Sequence, residues 1–280
     1  TALPAGGVGN DVDVIVATGW ETTYPAFLDA SDARRMYFVQ DYEPWFTAMS
    51  SEHVLAENTY RFGFHGITAG RWLEAKLRDE FGMSTAAYDF GSDPGHYSVL
   101  TRERRDGVFF YARPETARRG FELGVLALQL VHEERPDARI ILAGQDVSKH
   151  KLPFPYESPG VMQVGDLNGL YNRCAVGLVL SLSNMSLLPL ELLGAGVVPV
   201  VNDAPNNRMV SDNPYIAYAD PTPRALADRV IEALDRVDQA EYAVAAAASV
   251  VGTGWDVSAT QFLDAFERGL GRSAGESADG

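Results

Sequence analysis

The chain has 280 residues, enough for one large or two ordinary α/β domains, and its 46% hydrophobic content is that of a globular protein. A formal net charge of −15 argues against broad binding to nucleic acid, which needs a basic surface to displace counterions. The single cysteine, Cys174, excludes an internal disulfide and a multi-cysteine zinc site, and we expect it to pack in the core. Without an apolar run of about 18 residues or a signal peptide, a soluble cytoplasmic protein is predicted.

Strand and helix patterns alternate along the first part of the chain. Apolar runs predict strands over 12–17, 34–42 and 65–70, and TYPAFLDA (23–30) predicts a short helix or loop. Helical periodicity predicts one helix capped by Ser50 or Ser51 and another over 71–82. Because the chain opens on Thr and reaches an apolar strand within a dozen residues, we expect a fragment whose first domain, 1–90, is a partial Rossmann-like domain with an incomplete sheet.

A second α/β series follows a stretch rich in Gly, Pro, Asp and Ser and then a charged run, which together predict an interdomain linker over 91–106. The second domain is predicted to span 107–272, followed by a small polar tail, 273–280, that we expect to be disordered. Strands are predicted over 107–113, 138–144 and 161–165, and helices over 121–135, 166–175, 223–237, 239–251 and 255–270. This alternation predicts an α/β protein with two Rossmann-like domains.

The segment 177–203 is the most informative part of the second series, because an apolar strand runs through a polar turn into a helix and a second apolar strand. Pro189 suits the first turn of that helix, and Ser186 can cap its free N–H groups. A helix that begins at the carboxyl end of a strand is a natural anion site. Glu191 follows two residues after Pro189, so phosphate at the loop and hydroxyls at Glu191 would suit a sugar nucleotide.

Three arginines follow the first strand of the second series. Arg113 ends that strand, and Arg118 and Arg119 precede Gly120 and the next helix. Guanidinium groups gathered at the carboxyl end of a strand can clamp a diphosphate bidentately. The alternative is a set of solvated surface arginines. We favour the interpretation that these arginines bind a diphosphate, because this loop and the Ser186 loop both follow strands of one predicted sheet.

Two strands of the first series also end in polar, aromatic loops. Asp41 and Glu43 are candidate binders of an acceptor hydroxyl, or bases, with Trp20, Tyr42 and Trp45 as surfaces on which a sugar ring could stack. The alternative is an ordinary loop at the end of a strand.

No pair of carboxylates follows a strand in the manner of a metal site. The five histidines are scattered along the chain, at His53, His65, His96, His132 and His150. His65 lies between apolar neighbours and is expected to be a structural, hydrogen-bonded residue. We predict no metal and no cofactor, with arginines and a helix dipole neutralising a leaving diphosphate.

Taken together, these segments resemble GT-B glycosyltransferases of glycosyltransferase family 4, in particular bacterial rhamnosyltransferases that build cell-surface rhamnose glycans. The resemblance covers most of residues 12–220 and is carried by six segments, at 16–27, 37–46, 55–73, 110–124, 170–203 and 206–219. It implies a two-domain GT-B fold with a truncated N-terminal domain.

The resemblance also implies roles for particular residues. It assigns Arg113 and Arg119, with Arg118 as an alternative, to the donor diphosphate, and Glu191 to the nucleotide ribose. The backbone N–H groups of Ser186, Leu187 and Leu188 would contact phosphate. The first glutamate of the family's two-glutamate motif, eight residues before Glu191, is replaced by Ser183, which leaves the donor-sugar contacts open.

The activity implied by the resemblance is transfer of a hexose, L-rhamnose from dTDP-rhamnose, to a cell-surface glycan with retention and without a metal. Asp41 and Glu43 would then position the acceptor or the donor sugar, while the leaving diphosphate helps to deprotonate the acceptor. The expected partners are a nucleotide sugar and a glycan acceptor, with peripheral association at the inner membrane face through that acceptor. Two alternatives stay open: a GT-B sugar-nucleotide epimerase and a non-catalytic module that binds nucleotide sugars.

Overall fold

The computed structural model describes residues 7–9, 11–93 and 95–271, which form two compact units. One unit combines residues 7–9 and 11–90 with 256–271, and the other consists of 91–93 and 95–255.

The first unit is built on a four-stranded parallel sheet whose strands lie in chain order. Its elements are β1 (Val14–Ala17), α1 (Trp20–Leu28), β2 (Arg34–Val39), a 3-10 helix (Glu43–Phe46), α2 (Ser51–Thr59), β3 (His65–Ala69), α3 (Arg71–Phe81) and β4 (Thr85–Tyr88). Ser50 caps α2 as predicted, since its hydroxyl accepts the His53 N–H at 3.3 Å. β4 was not predicted, because parallel pairing with β3 supplies the order that a four-residue pattern cannot.

The second unit is built on a six-stranded parallel sheet. Its elements are β5 (Gly107–Ala112), a 3-10 helix (Ala117–Arg119), α4 (Phe121–Glu134), β6 (Arg139–Gly144), β7 (Glu157–Gly160), α5 (Val164–Tyr171), β8 (Cys174–Val179), α6 (Leu188–Gly194), β9 (Val198–Asn202), α7 (Pro205–Arg208), β10 (Ala217–Ala219), α8 (Pro223–Leu234) and α9 (Gln239–Ser249). The strand order is β10-β9-β8-β5-β6-β7, so the chain leaves β5 in one direction and returns to its other side at β8. A parallel sheet binds ligands at such a switch point, beyond the carboxyl ends of its strands.

The core of the second unit fills both faces of the sheet. Every residue of β8 is buried, and Phe110 and Leu178 belong to one apolar cluster with residues of α4 and α8. On β8, a Cβ built at Gly177 would lie 2.5 Å from Leu192 Cδ1, so only glycine lets α6 approach the strand this closely. The thiol of Cys174 is fully buried, as predicted, and burial raises its pKa to about 12.

Two predicted elements differ from the observed ones in this unit. The strand expected over 161–165 lies earlier, at Glu157–Gly160, where it pairs with β6, and α5 begins at Val164. The helix expected to reach residue 175 stops at Tyr171, because Cys174 begins β8 and pairs there with Gly107 of β5. Both shifts arise from partners distant in sequence.

The helix Trp255–Leu270 lies, from Asp256 onward, with the first unit and not with the C-terminal domain in which the sequence placed it. Ala265 is buried in a cluster with Met36 and other residues of the first sheet. The Arg34 guanidinium donates to the Gly269 carbonyl at 3.1 Å, and the His65 ring lies 3.0 Å from the Ala265 carbonyl. Periodicity predicts that this helix has an apolar face, but it does not specify which sheet covers that face.

Candidate functional site

The two predicted phosphate loops meet at the carboxyl ends of β5 and β8. The Leu182 N–H, in the loop between β8 and α6, donates to the Arg118 carbonyl at 2.9 Å. Gly120 has a φ of +59°, a left-handed backbone conformation that favours glycine, and a Cβ there would lie 3.2 Å from Leu180. Direct contact between loops from two neighbouring strands fixes their spacing.

Arg119 is the side chain that ties the two loops together. One nitrogen of its guanidinium, Nη1, donates to Ser181 Oγ at 2.6 Å and approaches the Asn184 carbonyl at 3.3 Å. Arg113 is also half-buried, with its guanidinium carbon 5.6 Å from the centre of the Tyr111 ring. Arg119 is therefore not a freely solvated surface residue.

The start of α6 differs from the sequence prediction. The residue before its first turn is Leu187 and not Ser186; Leu187 has a helical backbone conformation and makes no side-chain capping hydrogen bond. A capping residue holds an extended conformation directly before the helix, whereas the residue in that position here, Leu187, is already helical. Pro189 lies in the first turn, as predicted, and Leu188 is buried.

Glu191 faces two tyrosines that the sequence reasoning missed. The Tyr171 hydroxyl donates to Glu191 Oε2 at 3.2 Å, and the rings of Tyr97 and Tyr171 stack with their centres 5.8 Å apart. Burial raises the pKa of Glu191, while hydrogen bonding from Tyr171 and Tyr97 opposes that rise. The carboxylate thus has a defined orientation. Tyr97 lies in the predicted linker and Tyr171 on α5, so no local pattern links them to Glu191.

Ser183, at the position where the family resemblance expects a glutamate, is fully buried in the loop between β8 and α6. A further group missed from sequence is a set of buried asparagines at the end of β9 and on α7, namely Asn202, Asn206 and Asn207. The only sequence signal for it is the polar run NDAPNN after an apolar strand.

In the first unit, Asp41 and Glu43 lie at the carboxyl end of β2, 7% and 8% exposed. The Trp20 N–H, at the start of α1, donates to Glu43 Oε2 at 2.6 Å, and the Tyr42 N–H donates to Asp41 Oδ1 at 2.8 Å. Burial raises the pKa of Glu43 to about 7. Asp41 therefore organises its own loop, and Glu43 joins that loop to the start of α1.

The aromatic residues predicted as sugar-stacking surfaces are not equivalent. Tyr42 is only 3% exposed, and its ring stacks on Tyr60 and receives the Lys76 ammonium 4.5 Å from its centre. Tyr42 is thus part of the packed interior and cannot serve as an open stacking surface. Trp45, by contrast, is 43% exposed.

Within the described residues, no group of three or more His, Cys, Asp or Glu side chains is placed to hold a metal ion. No helix of the described ranges is long and apolar enough to cross a membrane.

Comparison with known proteins gives relatives for both units. Residues 106–231 match the family model for the C-terminal domain of WsaF. Over 260 residues the chain is 34% identical to the O-antigen biosynthesis protein RfbC of Myxococcus xanthus. That match covers 90% of this chain but 20% of RfbC, so the chain spans about a fifth of the length of this relative.

Solved structures match most of the chain at low sequence identity. Sucrose-phosphate synthase from Thermosynechococcus elongatus superposes with a TM-score of 0.74 at 14% identity, covering 92% of this chain and 74% of the synthase. Anabaena HepE in complex with UDP and glucose superposes with a TM-score of 0.72 at 16% identity, covering 91% of this chain and 78% of HepE. The two parallel α/β units and these likenesses show that the chain has the GT-B fold expected from its sequence.

Proposed function

We propose that this chain is part of a glycosyltransferase of cell-surface glycan synthesis, which moves a hexose from a nucleotide sugar to a glycan acceptor. The observation that carries the proposal is the junction of the β5 and β8 loops through Arg119 at the switch point of the second sheet. This is where a parallel sheet binds anionic ligands. The similarity to a protein named for O-antigen biosynthesis supports the proposal, as does the similarity to HepE, whose structure contains UDP and glucose.

Within this proposal, Arg113 and Arg119 bind the donor diphosphate, with Arg118 as an alternative. The guanidinium group suits this role because it is always charged and can donate two parallel N–H bonds to phosphate oxygens. The backbone at 186–188 contributes further N–H contacts. In the transfer step these groups stabilise the negative charge that develops on the leaving diphosphate.

Glu191 binds the ribose hydroxyls of the donor. Its carboxylate accepts the Tyr171 hydroxyl through Oε2, which orients the group before a ligand arrives. The finer assignment, L-rhamnose from dTDP-rhamnose with retention and without a metal, rests on the sequence resemblance. The same resemblance supports placing Asp41 and Glu43 on the acceptor side and the protein at the inner membrane face.

The first test is calorimetric titration of the protein with dTDP, UDP and GDP. Binding tighter than about 1 mM, near −4 kcal/mol, is expected for at least one nucleotide, and no binding by any of them refutes the proposal. Glu191→Ala should weaken nucleotide binding by about 1.5–3 kcal/mol, as expected for hydrogen bonds to a charged group. Glu241→Ala, at an exposed position on α9, is the matched control and should bind as the wild type does.

A donor-hydrolysis assay then separates catalysis from binding alone. With dTDP-rhamnose, UDP-glucose and GDP-mannose offered in parallel, the protein should hydrolyse one donor preferentially, and dTDP-rhamnose is the expected one. Nucleotide binding without turnover of any donor, with or without a glycan acceptor, would favour a non-catalytic module.

A further inference from the structure

Ser181 is a fully buried residue that lies just beyond β8 and contacts Arg119. The hydroxyl of Ser181 accepts the Arg119 Nη1–H at 2.6 Å, the shorter of the two hydrogen bonds described above for this guanidinium. The orientation of Arg119 therefore depends on where the Ser181 hydroxyl lies.

The backbone of Ser181 is held by side chains from β9 and α7. The register of β8 and β9 pairs Val179 with Val201 at its last position. Beyond that pair, the Ser181 N–H donates to Asn202 Oδ1 at 2.8 Å, and Asn202 Nδ2 donates to the Ser181 carbonyl at 3.1 Å. The Asn202 amide thus replaces the backbone of a neighbouring strand and extends the paired region to Ser181.

Two further asparagines complete this arrangement, which we call the asparagine clamp (Asn202, Asn206 and Asn207). Asn206 Nδ2 and Asn207 Nδ2 donate to the Ser181 carbonyl at 2.9 and 3.1 Å, and Asn207 Nδ2 also donates to the Asn202 carbonyl at 2.8 Å. Turning the Asn207 amide over would set its oxygen against two carbonyls, so these bonds define its orientation.

The clamp is rigid because it is buried. Its three side chains are at most 5% exposed, and moving any of them would leave buried amide or carbonyl groups without partners. Such a network costs more to distort than a single exposed hydrogen bond, and it defines the position of Ser181 to which Arg119 is bonded.

We infer that Ser181 is a positioning residue, which the asparagine clamp fixes in space and which orients the Arg119 guanidinium toward the diphosphate of a nucleoside diphosphate. This inference rests on the proposed function for the identity of the ligand. A flexible arginine loses rotamer entropy when it binds phosphate, and a buried hydroxyl that already holds the guanidinium removes part of that cost.

The experiment is a double-mutant cycle measured by calorimetry with a nucleoside diphosphate and with its parent nucleoside. The variants are Ser181→Ala, Arg119→Ala and the double substitution, and the ligand pairs are dTDP with thymidine and UDP with uridine. Ser181→Ala should weaken diphosphate binding roughly tenfold, as expected from loss of a charge-assisted hydrogen bond, and leave nucleoside binding unchanged. In the Arg119→Ala background it should have no further effect, since Ser181 acts through Arg119.

Ser249→Ala is the matched control, because the Ser249 hydroxyl donates to the Ala246 carbonyl at 2.6 Å within the same unit and does not contact Arg119. It should lower the melting temperature without changing the ratio of diphosphate to nucleoside affinity. Asn202→Ala removes both hydrogen bonds between Asn202 and the Ser181 backbone and adds no charge near the diphosphate. It should weaken diphosphate binding in the wild-type background and have no effect in the Arg119→Ala background.

The outcomes separate this inference from the proposed function. If the wild-type protein binds no nucleotide, the proposed function and this inference fail together. If the wild type binds nucleoside diphosphate and Ser181→Ala binds it equally well, the inference alone is overturned. Equal losses for diphosphate and nucleoside, or losses that add in the double variant, would also overturn it, because they indicate a merely structural serine.

Discussion

Replacing Glu43 with glutamine should remove a pH-dependent destabilisation of the first unit. The Glu43 side chain is 8% exposed, and burial raises its pKa from the ordinary 4.5 to about 7, with further contributions from the neighbouring charges of Glu21 and Asp41. The folded protein therefore retains a proton that the unfolded chain releases. Stability from this group consequently falls as the pH rises from about 4.5 through about 7, and the full cost is present above pH 7.

The size of this effect follows from the pKa. A rise from 4.5 to about 7 corresponds to about 3 kcal/mol, since each pKa unit is worth about 1.4 kcal/mol. Glutamine has nearly the same shape, carries no charge and keeps a carbonyl oxygen for the Trp20 N–H, which donates to Glu43 at 2.6 Å. The shifted pKa already includes the opposing effect of that hydrogen bond, so nothing further is subtracted. Glu43→Gln should therefore be about 3 kcal/mol more stable than the wild type at pH 8 and within about 1 kcal/mol of it at pH 5.

Urea unfolding followed by tryptophan fluorescence between pH 5 and 8 measures this difference. Three of the four tryptophans, Trp20, Trp45 and Trp72, belong to the first unit, so the signal reports mainly on it. Glu52→Gln, at an exposed position on α2, is the control and should leave the pH profile unchanged. If the advantage of Glu43→Gln is the same at pH 5 and pH 8, the charge of Glu43 is not its cause and the reasoning is wrong.

Two further predictions concern the core of the second unit. Gly177→Ala should destabilise the protein by about 1–3 kcal/mol in urea unfolding, because its Cβ would lie 2.5 Å from Leu192 Cδ1. Gly165→Ala, where no atom lies within 4 Å of the added Cβ, is its control, and equal effects of the two substitutions would contradict this packing argument. Cys174 should not react with a thiol reagent at pH 8 in the native protein, since it is fully buried and burial raises its pKa to about 12, but should react at once in urea. Rapid modification of the folded protein would show that the site opens to solvent.

The segment 177–203 of the second unit was predictable from the sequence because its two strands, β8 and β9, are covered on both faces of the sheet. All residues of β8 and β9 are buried, and such strands are expected to be continuous apolar runs in the sequence. The loop after β8 was recognisable in the sequence as the polar segment that interrupts these apolar runs. The contact of Arg119 with this loop was predictable as well, since strands of one parallel sheet end at the same edge.

The contacts that orient the site residues were not predictable. Glu191 accepts a hydrogen bond from Tyr171, 20 residues away, and Arg119 donates one to Ser181, 62 residues away. Neither separation in sequence corresponds to a helical or strand period. The structure also places Leu187, and not the predicted Ser186, directly before α6.

The sequence by itself determined the alternation of strands and helices, the parallel α/β fold and the positions of the arginines and the glutamate. These features depend on side chains a few residues apart, whose spacing sets which face of an element is apolar. Only the tertiary structure decided that the helix Trp255–Leu270 joins the first unit, through contacts such as the hydrogen bond from Arg34 to Gly269, 235 residues apart. The tertiary structure also set the asparagine clamp around Ser181. An apolar face or a polar run specifies that a partner is needed, whereas the identity of that partner depends on which distant segments the fold brings together.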